Sequence, residues 1–394
     1  MQKKGTQPAV LKAQRILLLT VVTVFWFSQY VYIPYQTPYL YAIGAASPLV
    51  GTVVGAYGFS QMLLRVPVGL AADRTGRHKR FILLGTIFSS LASLLRVLLP
   101  SAEGFLCASL LSGLAAAMWI SFMVLFFTYF DSGELQKASA WIVGANNLGI
   151  LLGFVAGAVL YDRFGIRFLC LLAALAAIAA TLLALLIREP QRHSQRPPLR
   201  ELVKIFRDRR LILFALIALI QQGIQISTSM SFTTQIAKDL GANGFQIGLC
   251  SIIYILTAVG SSFFAATRLF RRVKVSVWIP AILLCLAVYC VLIPNLPSVE
   301  WIDAAQILSG LSTGILFSLC TSEAMRGIPP EKHSSAMGFY QAIYAFGMTA
   351  FPVLAGAISG SFGIRNAFYC LAAAAAAGLL IMIVYNHFIL KKSM

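Results

Sequence analysis

The sequence is poor in charge, and in negative charge above all. Only 11% of its 394 residues are charged, with 13 Asp and Glu against 31 Lys and Arg. A soluble domain is usually about a quarter charged, so this chain lacks the side chains that would cover a water-facing surface. This shortage excludes a soluble enzyme, a nucleic-acid-binding module and a disordered protein.

Groups that carry catalysis or bind metals are also few. All seven cysteines fall in or at the ends of apolar segments without metal-ligand spacing, and none of the four histidines lies in the middle of such a segment. Cysteines in this setting behave as small core residues. We therefore predict a protein that is not an enzyme and that has no metal, cofactor or disulfide.

Long apolar segments are what the sequence has in abundance, with 59% hydrophobic residues and a mean hydropathy of +0.82. A bilayer crossing needs about 20 predominantly apolar residues. The sequence therefore predicts an all-α integral membrane protein with twelve transmembrane helices. The apolar segments are 16–40, 49–72, 81–99, 105–130, 138–160, 168–187, 211–235, 246–267, 275–293, 301–322, 335–358 and 366–390.

The basic residues are distributed unevenly between the connecting segments. In this plan 25 Lys and Arg lie on the side of the N-terminus, and only Arg163, Arg167, Lys238 and Arg365 lie on the other. Positive segments stay in the cytoplasm, so both termini are predicted to be cytoplasmic. The net charge of +18 then reflects topology and contact with anionic lipid headgroups rather than nucleic acid. No small-residue cleavage site follows the first apolar segment, so it is expected to be retained.

The chain divides into two halves with the same plan. Leu111–Leu114 and Leu308–Leu311 share one four-residue sequence, and Phe164–Arg167 and Phe362–Arg365 share another. Both pairs fall at corresponding places, as in transporters built from repeats. The predicted units are a six-helix bundle at 1–187, a Pro- and Arg-rich cytoplasmic linker at 188–210 and a second six-helix bundle at 211–394.

The segment after the second apolar run carries a recognisable motif, GLAADRTGRHKR at residues 69–80. It resembles the cytoplasmic loop signature of the major facilitator superfamily, G-x-x-x-D-R-x-G-R-x-K/R. The resemblance implies a transporter that alternates between inward- and outward-facing states, with this loop latching the two halves on the cytoplasmic side when the protein faces outward. The implied latch residues are Gly69, Asp73, Arg74, Gly76 and Arg77.

The fifth apolar segment is similar to the antiporter motif of the drug:proton branch of that family, G-x-x-x-G-P-x-x-G-G. It has Gly149, Gly153 and Gly157, but Phe154 and Ala158 replace the Pro and the last Gly. The resemblance favours export. Close packing of helices through small residues explains the same spacing equally well.

In this family the first, fourth, seventh and tenth helices face a central cavity. We looked on each for polar or aromatic residues at helical spacing, and added two residues from the eleventh. Amides and aromatic rings suit a neutral or amphipathic organic molecule, although some of the amides could instead pin helices together. The candidates are Gln29, Tyr32, Gln36, Trp119, Met123, Gln221, Gln225, Thr228, Gln306, Thr313, Gln341 and Tyr344.

Two arginines lie within apolar segments, where ionisable residues are functional candidates. Arg65 could extend toward the cytoplasmic interface, could pair with Asp131 or Glu134, or could attract an anionic substrate. Arg96 lies four residues before Pro100, and we expect it to extend outward to the membrane interface.

Proton coupling has few candidate groups. The Arg that the drug-efflux branch carries in its fourth helix is absent from residues 109–113, and no carboxylate lies near the centre of a predicted helix. Asp303 and Glu323, near the two ends of the tenth helix, remain as proton carriers.

These features predict a monomeric secondary transporter of the bacterial inner membrane, driven by an ion gradient, with protons as the expected ion. The leading hypothesis is an antiporter for the efflux of small amphipathic compounds. The main alternative is uptake of a nutrient or organic anion with Arg65 as the anion contact, and a lipid flippase is a third.

Overall fold

The structure is a computed structural model that describes residues 8–131, 134–189, 207–268, 270–329 and 333–392. Within these ranges the chain is helical and contains no strand. The helices are α1 (Pro8–Tyr30), α2 (Ile33–Ala42), α3 (Ser47–Thr75), α4 (His78–Leu98), α5 (Ala102–Ala117), α6 (Trp119–Phe127), α7 (Leu135–Leu185), α8 (Arg209–Ser227), α9 (Thr233–Asp239), α10 (Gly244–Ala265), α11 (Val275–Leu292), α12 (Val299–Met325), α13 (His333–Phe362) and α14 (Ile364–Lys392).

Eleven helical stretches in the described residues are long and apolar enough to cross a membrane. Helices satisfy their own backbone hydrogen bonds, which is what a hydrocarbon surrounding demands. Large apolar side chains lie on the outside of the molecule, among them Leu63, Leu175 and Phe263. The all-helical class is therefore as predicted, whereas the count of twelve crossings and the cytoplasmic position of the termini stay predictions.

The longest helix, α7, runs across the molecule and back. It has 51 residues, more than twice the length of one crossing, and Gly165 interrupts it with φ of +71° and ψ of 178°. Its two ends lie on the same side, because Tyr129, shortly before α7, donates a hydrogen bond to the carbonyl of Arg188, shortly after it. Gly363 makes a similar turn between α13 and α14 with φ of +87°. Both turns lie in the repeated Phe-Gly-Ile-Arg sequence.

Several of the predicted helices are interrupted near their centres. The first breaks at Val31 and Tyr32, just before Pro34, whose ring cannot follow the carbonyl of Tyr30 in a regular helix. The seventh predicted helix consists of three parts in the structure: α8, then a π-helical segment at Thr228–Phe232, then α9. Interruptions of this kind tend to occur at functional sites.

The helices pack mainly within the two halves of the chain. In the first half α7 packs on α1 and α4, and α3 packs on α5; in the second half α12 packs on α8 and α10, and α11 packs on α14. The halves are joined mainly by α3 with α13 and α7 with α10, and α2 adds contacts with α9, α10 and the π-helical segment. Residues 190–206 of the predicted linker lie outside the described residues, so the division at 1–187, 188–210 and 211–394 stays a prediction.

All seven cysteines are free thiols.

Candidate functional site

One end of the molecule is closed by helices in backbone contact. A Cβ on Gly55 of α3 would lie 2.6 Å from the carbonyl oxygen of Thr349 on α13, and one on Gly356 would lie 2.5 Å from the carbonyl oxygen of Ser47. A Cβ on Gly51 would collide with the carbonyl of Pro352. Glycine is therefore required for this approach. We call this region, which also contains residues 35–37, 161–162, 231 and 244–248, the closed end.

Hydrogen bonds between the halves reinforce the closed end. The hydroxyl oxygens of Thr37 and Ser231 lie 2.8 Å apart, and the Tyr35 hydroxyl donates to the carbonyl of Gly244 at 3.0 Å. The Tyr35 ring also stacks on Tyr161, with 4.0 Å between ring centroids. The two hydrogen bonds connect α2 with the π-helical segment and with α10.

A carboxylate from the first half caps a helix of the second half. Asp162, near the turn at Gly165, accepts hydrogen bonds from the backbone N–H of Gly244 at 2.8 Å and of Phe245 at 3.2 Å. These amides begin α10, where the partial positive charge of the helix favours an anion. Asp162 therefore holds α10 against α7 at the closed end.

The same two helices, α7 and α10, part at their other ends. A crevice of about 420 Å³ separates residues 140–151 of α7 from residues 255–263 of α10. Gly144 in this crevice has no atom within 4 Å of the place where a Cβ would lie. We call this region, with the adjoining ends of α3, α4 and α12, the open end.

Between the two ends lies a narrow cavity of about 40 Å³. Most of its wall comes from the first half of the chain, and the π-helical region of the second half completes it. Predicted residues Gln29, Tyr32 and Gln36 are in this wall. The other lining residues are Tyr30, Ile33, Val54, Tyr57, Arg96, Ser109, Ser112, Ile226 and Met230.

The predicted amides of the second half are engaged with neighbouring helices. Gln221 donates from Nε2 to Thr313 Oγ1 at 3.3 Å, and Gln306 Oε1 accepts from Tyr289 at 3.3 Å. The Thr228 hydroxyl donates to a carbonyl of its own helix at 2.7 Å. Several of these amides also keep one polar atom without a partner among the described residues: Gln221, Gln225, Gln306 and Gln341.

The predicted aromatic wall on the fourth helix is an internal cluster in this state. Trp119 meets Trp26 edge-on, with 5.5 Å between ring centroids, and lies 6.1 Å from Phe122. Met123 is partly buried against the same apolar core. Neither Trp119 nor Met123 is among the residues that line the cavity.

Arg65 joins the two halves instead of pairing with an acid. Its Nη1 donates to the hydroxyl of Tyr344 on α13 at 2.8 Å. Of the two predicted carboxylates, Asp131 is exposed and Glu134 lies 3.5 Å from Lys137 Nζ. The predicted pairing is therefore wrong, because α13 brings a phenol to the guanidinium.

The expectation that Arg96 extends outward is also wrong. Arg96 is only 2% exposed, and its guanidinium lies 4.3 Å from the centroid of the Tyr32 ring. Nη2 donates to Ser112 Oγ at 3.2 Å. Aromatic and hydroxyl groups on neighbouring helices keep this side chain inside the bundle, so it faces the cavity wall rather than the membrane interface.

The two predicted proton carriers on α12 have local partners. Glu323 forms ion pairs with Arg210 of α8 and, at 3.5 Å, with Arg326. Asp303 accepts a hydrogen bond from the thiol of Cys250 on α10 at 2.7 Å. Neither carboxylate lines the cavity.

The predicted latch lies at the open end. Gly76 ends α3 with φ of +59°, and Arg77 is exposed. A Cβ on Gly69 would meet only the Ile120 side chain, at 3.8 Å, so no described helix packs closely against this glycine. The side chains of Asp73 and Arg74 lie outside the described residues.

A carboxylate from the end of the first half anchors the segment after the latch. Glu189 accepts hydrogen bonds from the backbone N–H of His78 at 2.5 Å and of Lys79 at 3.3 Å, at the start of α4. Burial raises the pKa of the Glu189 carboxyl, and the two backbone hydrogen bonds oppose that rise.

The glycines of the antiporter-like motif pack α7 against α1. A Cβ on Gly153 would lie 3.1 Å from the Val31 nitrogen, and one on Gly157 would lie 2.7 Å from the Val31 carbonyl oxygen. Gly149 similarly faces the carbonyl of Thr23. Close helix packing therefore accounts for this spacing, which by itself favours neither direction of transport.

Sequence reasoning missed Tyr35, Asp162 and the inward position of Arg96. One signal for Asp162 was available, because Asp162-Arg163 precedes Gly165 much as Asp73-Arg74 precedes Gly76. Tyr35 carried no comparable signal, since its partner is a backbone carbonyl 209 residues away.

Comparison with known proteins gives one consistent family. A family model described as the Major Facilitator Superfamily matches residues 18–234 and 217–388. The inner membrane transport protein YajR of Escherichia coli is 28% identical over 169 residues, which cover 43% of this chain and 36% of YajR. An uncharacterized MFS-type transporter of Methanocaldococcus jannaschii is 21% identical over 84% of this chain and 88% of its own length.

Two further similarities are to a bacterial protein and to a solved structure. Multidrug resistance protein 2 of Bacillus subtilis is 27% identical over 176 residues, covering 44% of each chain. Among solved structures, a mutant of the nucleoside transporter NupG aligns with a TM-score of 0.78 at 13% identity, covering 95% of this chain and 99% of NupG. At that identity the likeness extends to the fold alone.

Proposed function

The chain belongs to the Major Facilitator Superfamily of membrane transporters, and we propose that it is a secondary transporter that carries a small polar organic molecule across the bilayer by alternating access. The observation that supports this proposal is the contrast around the cavity: α7 and α10 are joined at the closed end and parted at the open end. With the predicted orientation, the open end faces the cytoplasm and the described state is inward-facing.

In the proposed cycle the contacts of the closed end separate while the crevice between α7 and α10 closes. Asp162 would release the first amides of α10, and the latch residues Asp73, Arg74 and Arg77 would join the halves at the open end. Each contact at the closed end is a neutral hydrogen bond, a helix cap or a packed glycine, worth on the order of 1 kcal/mol. The summed free energy of a few such contacts is small enough for the free energy of substrate binding to offset it.

We propose a proton gradient as the driving force and the bacterial inner membrane as the location. Among the described residues the cavity wall contains neither Asp nor Glu. Of the two carboxylates on α12, Asp303 is the better candidate for proton exchange, because Glu323 is already held by two arginines. We also propose that the protein acts as a monomer.

The direction of transport has two candidates. Uptake fits the polar wall of Gln29, Gln36 and Ser109. Export of amphipathic compounds, through proton antiport, is favoured by the similarity to Multidrug resistance protein 2.

A reversible cross-link at the closed end would test alternation directly. Thr37 and Ser231 lie with their hydroxyl oxygens 2.8 Å apart, so cysteines at both positions should form a disulfide under mild oxidation. We expect the cross-link to stop all transport and reduction to restore it, with each single cysteine variant as a control. Transport that continues at full rate in the cross-linked protein would contradict alternating access through this end.

Bacterial cells that express the protein would show the direction of transport. Accumulation of dyes, drugs and labelled nutrients would be measured with and without a proton uncoupler, and an Asp73→Asn variant would be the inactive control. Lower accumulation that the uncoupler abolishes supports export, whereas higher accumulation that the uncoupler abolishes supports uptake.

A further inference from the structure

Arg96 is a buried cation that lacks an anion. It lies in the last turn of α4, and only 2% of its surface is exposed. The guanidinium rests on the rings of Tyr32 and Phe105, 4.3 and 5.8 Å from the centroids, and donates to Ser112. Its Nε and Nη1 have no hydrogen-bond acceptor among the described residues. Two donors of a permanently charged group are therefore unused.

Its surroundings compensate that charge only in part. Tyr32 and Phe105 offer ring faces, and the carbonyl end of α4 contributes a partial negative charge. The ion pairs formed among the described residues do not include Arg96. A buried guanidinium is normally matched by a carboxylate or phosphate, since leaving it unpaired is strongly unfavourable.

The cavity wall around Arg96 can complete a site for an oxyanion. Gln29, Gln36 and Ser109 are lining residues with neutral polar groups, and no Asp or Glu is among the described lining residues to repel an anion. Ile226 and Met230 form the wall contributed by the second half, where they offer apolar contact.

Arg65, the anion contact that the sequence suggested, is placed differently. Its Nη1 already donates to Tyr344, and it is not among the residues that line the cavity. Arg65 keeps one donor, its Nε, without a partner among the described residues, whereas Arg96 keeps two and also lines the cavity.

We propose that Arg96 binds an oxyanion group, a carboxylate or a phosphate, of the transported molecule, and that the substrates are small organic anions. The inference rests on the proposed transport function and narrows its substrate class. The planar guanidinium gives two parallel donors that match either group, so Lys would not replace Arg fully.

Thermal unfolding of the purified protein without ligand separates a binding role from a structural one. If Arg96 belongs to an anion site, its charge has no counter-ion in the ligand-free protein. Arg96→Met then removes an unmatched charge, and we expect the melting temperature to rise by about 2 °C or more. Arg365→Met, which removes an exposed arginine beside the turn at Gly363, should leave the melting temperature unchanged. A lower melting temperature for Arg96→Met would mean that the arginine stabilises the fold, and would overturn the proposal.

Binding of matched probes tests the chemistry. Benzoate and phenyl phosphate carry the two oxyanions on one ring, and benzamide and benzylamine carry a neutral and a positive group in their place. We expect at least one of the two anions, but neither control compound, to bind and stabilise the wild-type protein. Arg96→Met should weaken that binding about thirtyfold and Arg96→Lys by less, whereas Arg365→Met should not change it.

Equal binding of benzamide and benzoate, or unchanged binding of the anion to Arg96→Met, would overturn the proposal. Failure of both anions to bind the wild-type protein would also overturn it. Neither measurement depends on transport. A protein that binds anions through Arg96 but does not alternate in the Thr37–Ser231 cross-linking test would contradict the proposed function and leave this inference standing.

Discussion

The two ends of the α7–α10 pair differ in what holds them. At the closed end Asp162 accepts from two amides of α10, and a Cβ on Gly248 would lie 2.5 Å from that of Ala158. At the open end Val143 and Phe263 are among the exposed apolar side chains, and Gly144 has open space beside it. Closure therefore depends on short-range contacts that act only when the backbones touch, and these contacts are lost together when the helices separate.

The ends also differ in charge. Arg210, Glu323 and Arg326 form ion pairs at the open end, but within the second half of the chain. At the closed end the described carboxylate, Asp162, reaches across from one half to the other. The ion pairs of Glu323 thus act within one half at the open end, whereas Asp162 bridges the halves at the closed end, so mutations can test these two sets of contacts separately.

The largest effect on this contrast should come from Gly51→Ala. The added methyl group would collide with the carbonyl of Pro352, at a cost to closure of about 1–3 kcal/mol. We expect the rate of Thr37–Ser231 cross-linking to fall about tenfold. Gly144→Ala is the matched control, because its methyl group meets nothing. Equal cross-linking in both variants would show that the contact of α3 with α13 does not control closure.

A smaller effect should follow from Asp162→Ala. Loss of a helix cap costs about 1 kcal/mol, which corresponds to a roughly fivefold loss of the closed arrangement in the cross-linking assay. Asp162→Asn keeps an acceptor oxygen and should retain most of the closure. If Asn behaves like Ala, the negative charge matters more than the hydrogen bonds.

Tyr35→Phe should have a weaker effect again. It removes the hydrogen bond to the Gly244 carbonyl but keeps the ring that stacks on Tyr161, so we expect a cost of about 0.5 kcal/mol and a roughly twofold change in cross-linking. Tyr35→Ala removes the stacking as well and should cost more. An effect of Tyr35→Phe larger than that of Asp162→Ala would reverse the proposed order of these contacts.

Glu323→Gln should leave the closed end unaffected. The substitution breaks the ion pairs with Arg210 and Arg326, and we expect the free energy of unfolding to fall by about 1–2 kcal/mol without a change in cross-linking. Chemical denaturation and the cross-linking assay would measure the two quantities separately. Loss of proton-coupled transport with unchanged stability would instead identify Glu323 as the coupling group.

Local sequence patterns predicted the helices well but the contacts between halves poorly. Hydropathy and helical spacing placed Gln29 and Gln36 on a face of the first helix that does line the cavity. The same reasoning applied to Gln221 could not distinguish a cavity wall from a neighbouring helix, and the structure pairs it with Thr313. Arg96 lies inside the bundle because Tyr32 and Ser112, which belong to other parts of the chain than α4, contact its guanidinium.

The turns at Gly165 and Gly363 are too short to accept inserted residues. A single residue, Gly363, separates α13 from α14, and Gly165 is the residue with non-helical dihedral angles between the two parts of α7. An epitope tag or protease site inserted at either position would force apart two helices that meet there. Residues 43–46, between α2 and α3, offer a true loop on the same face, with open space around Gly44. A tag at Gly44 that antibodies reach in intact cells would show which face of the membrane this end occupies.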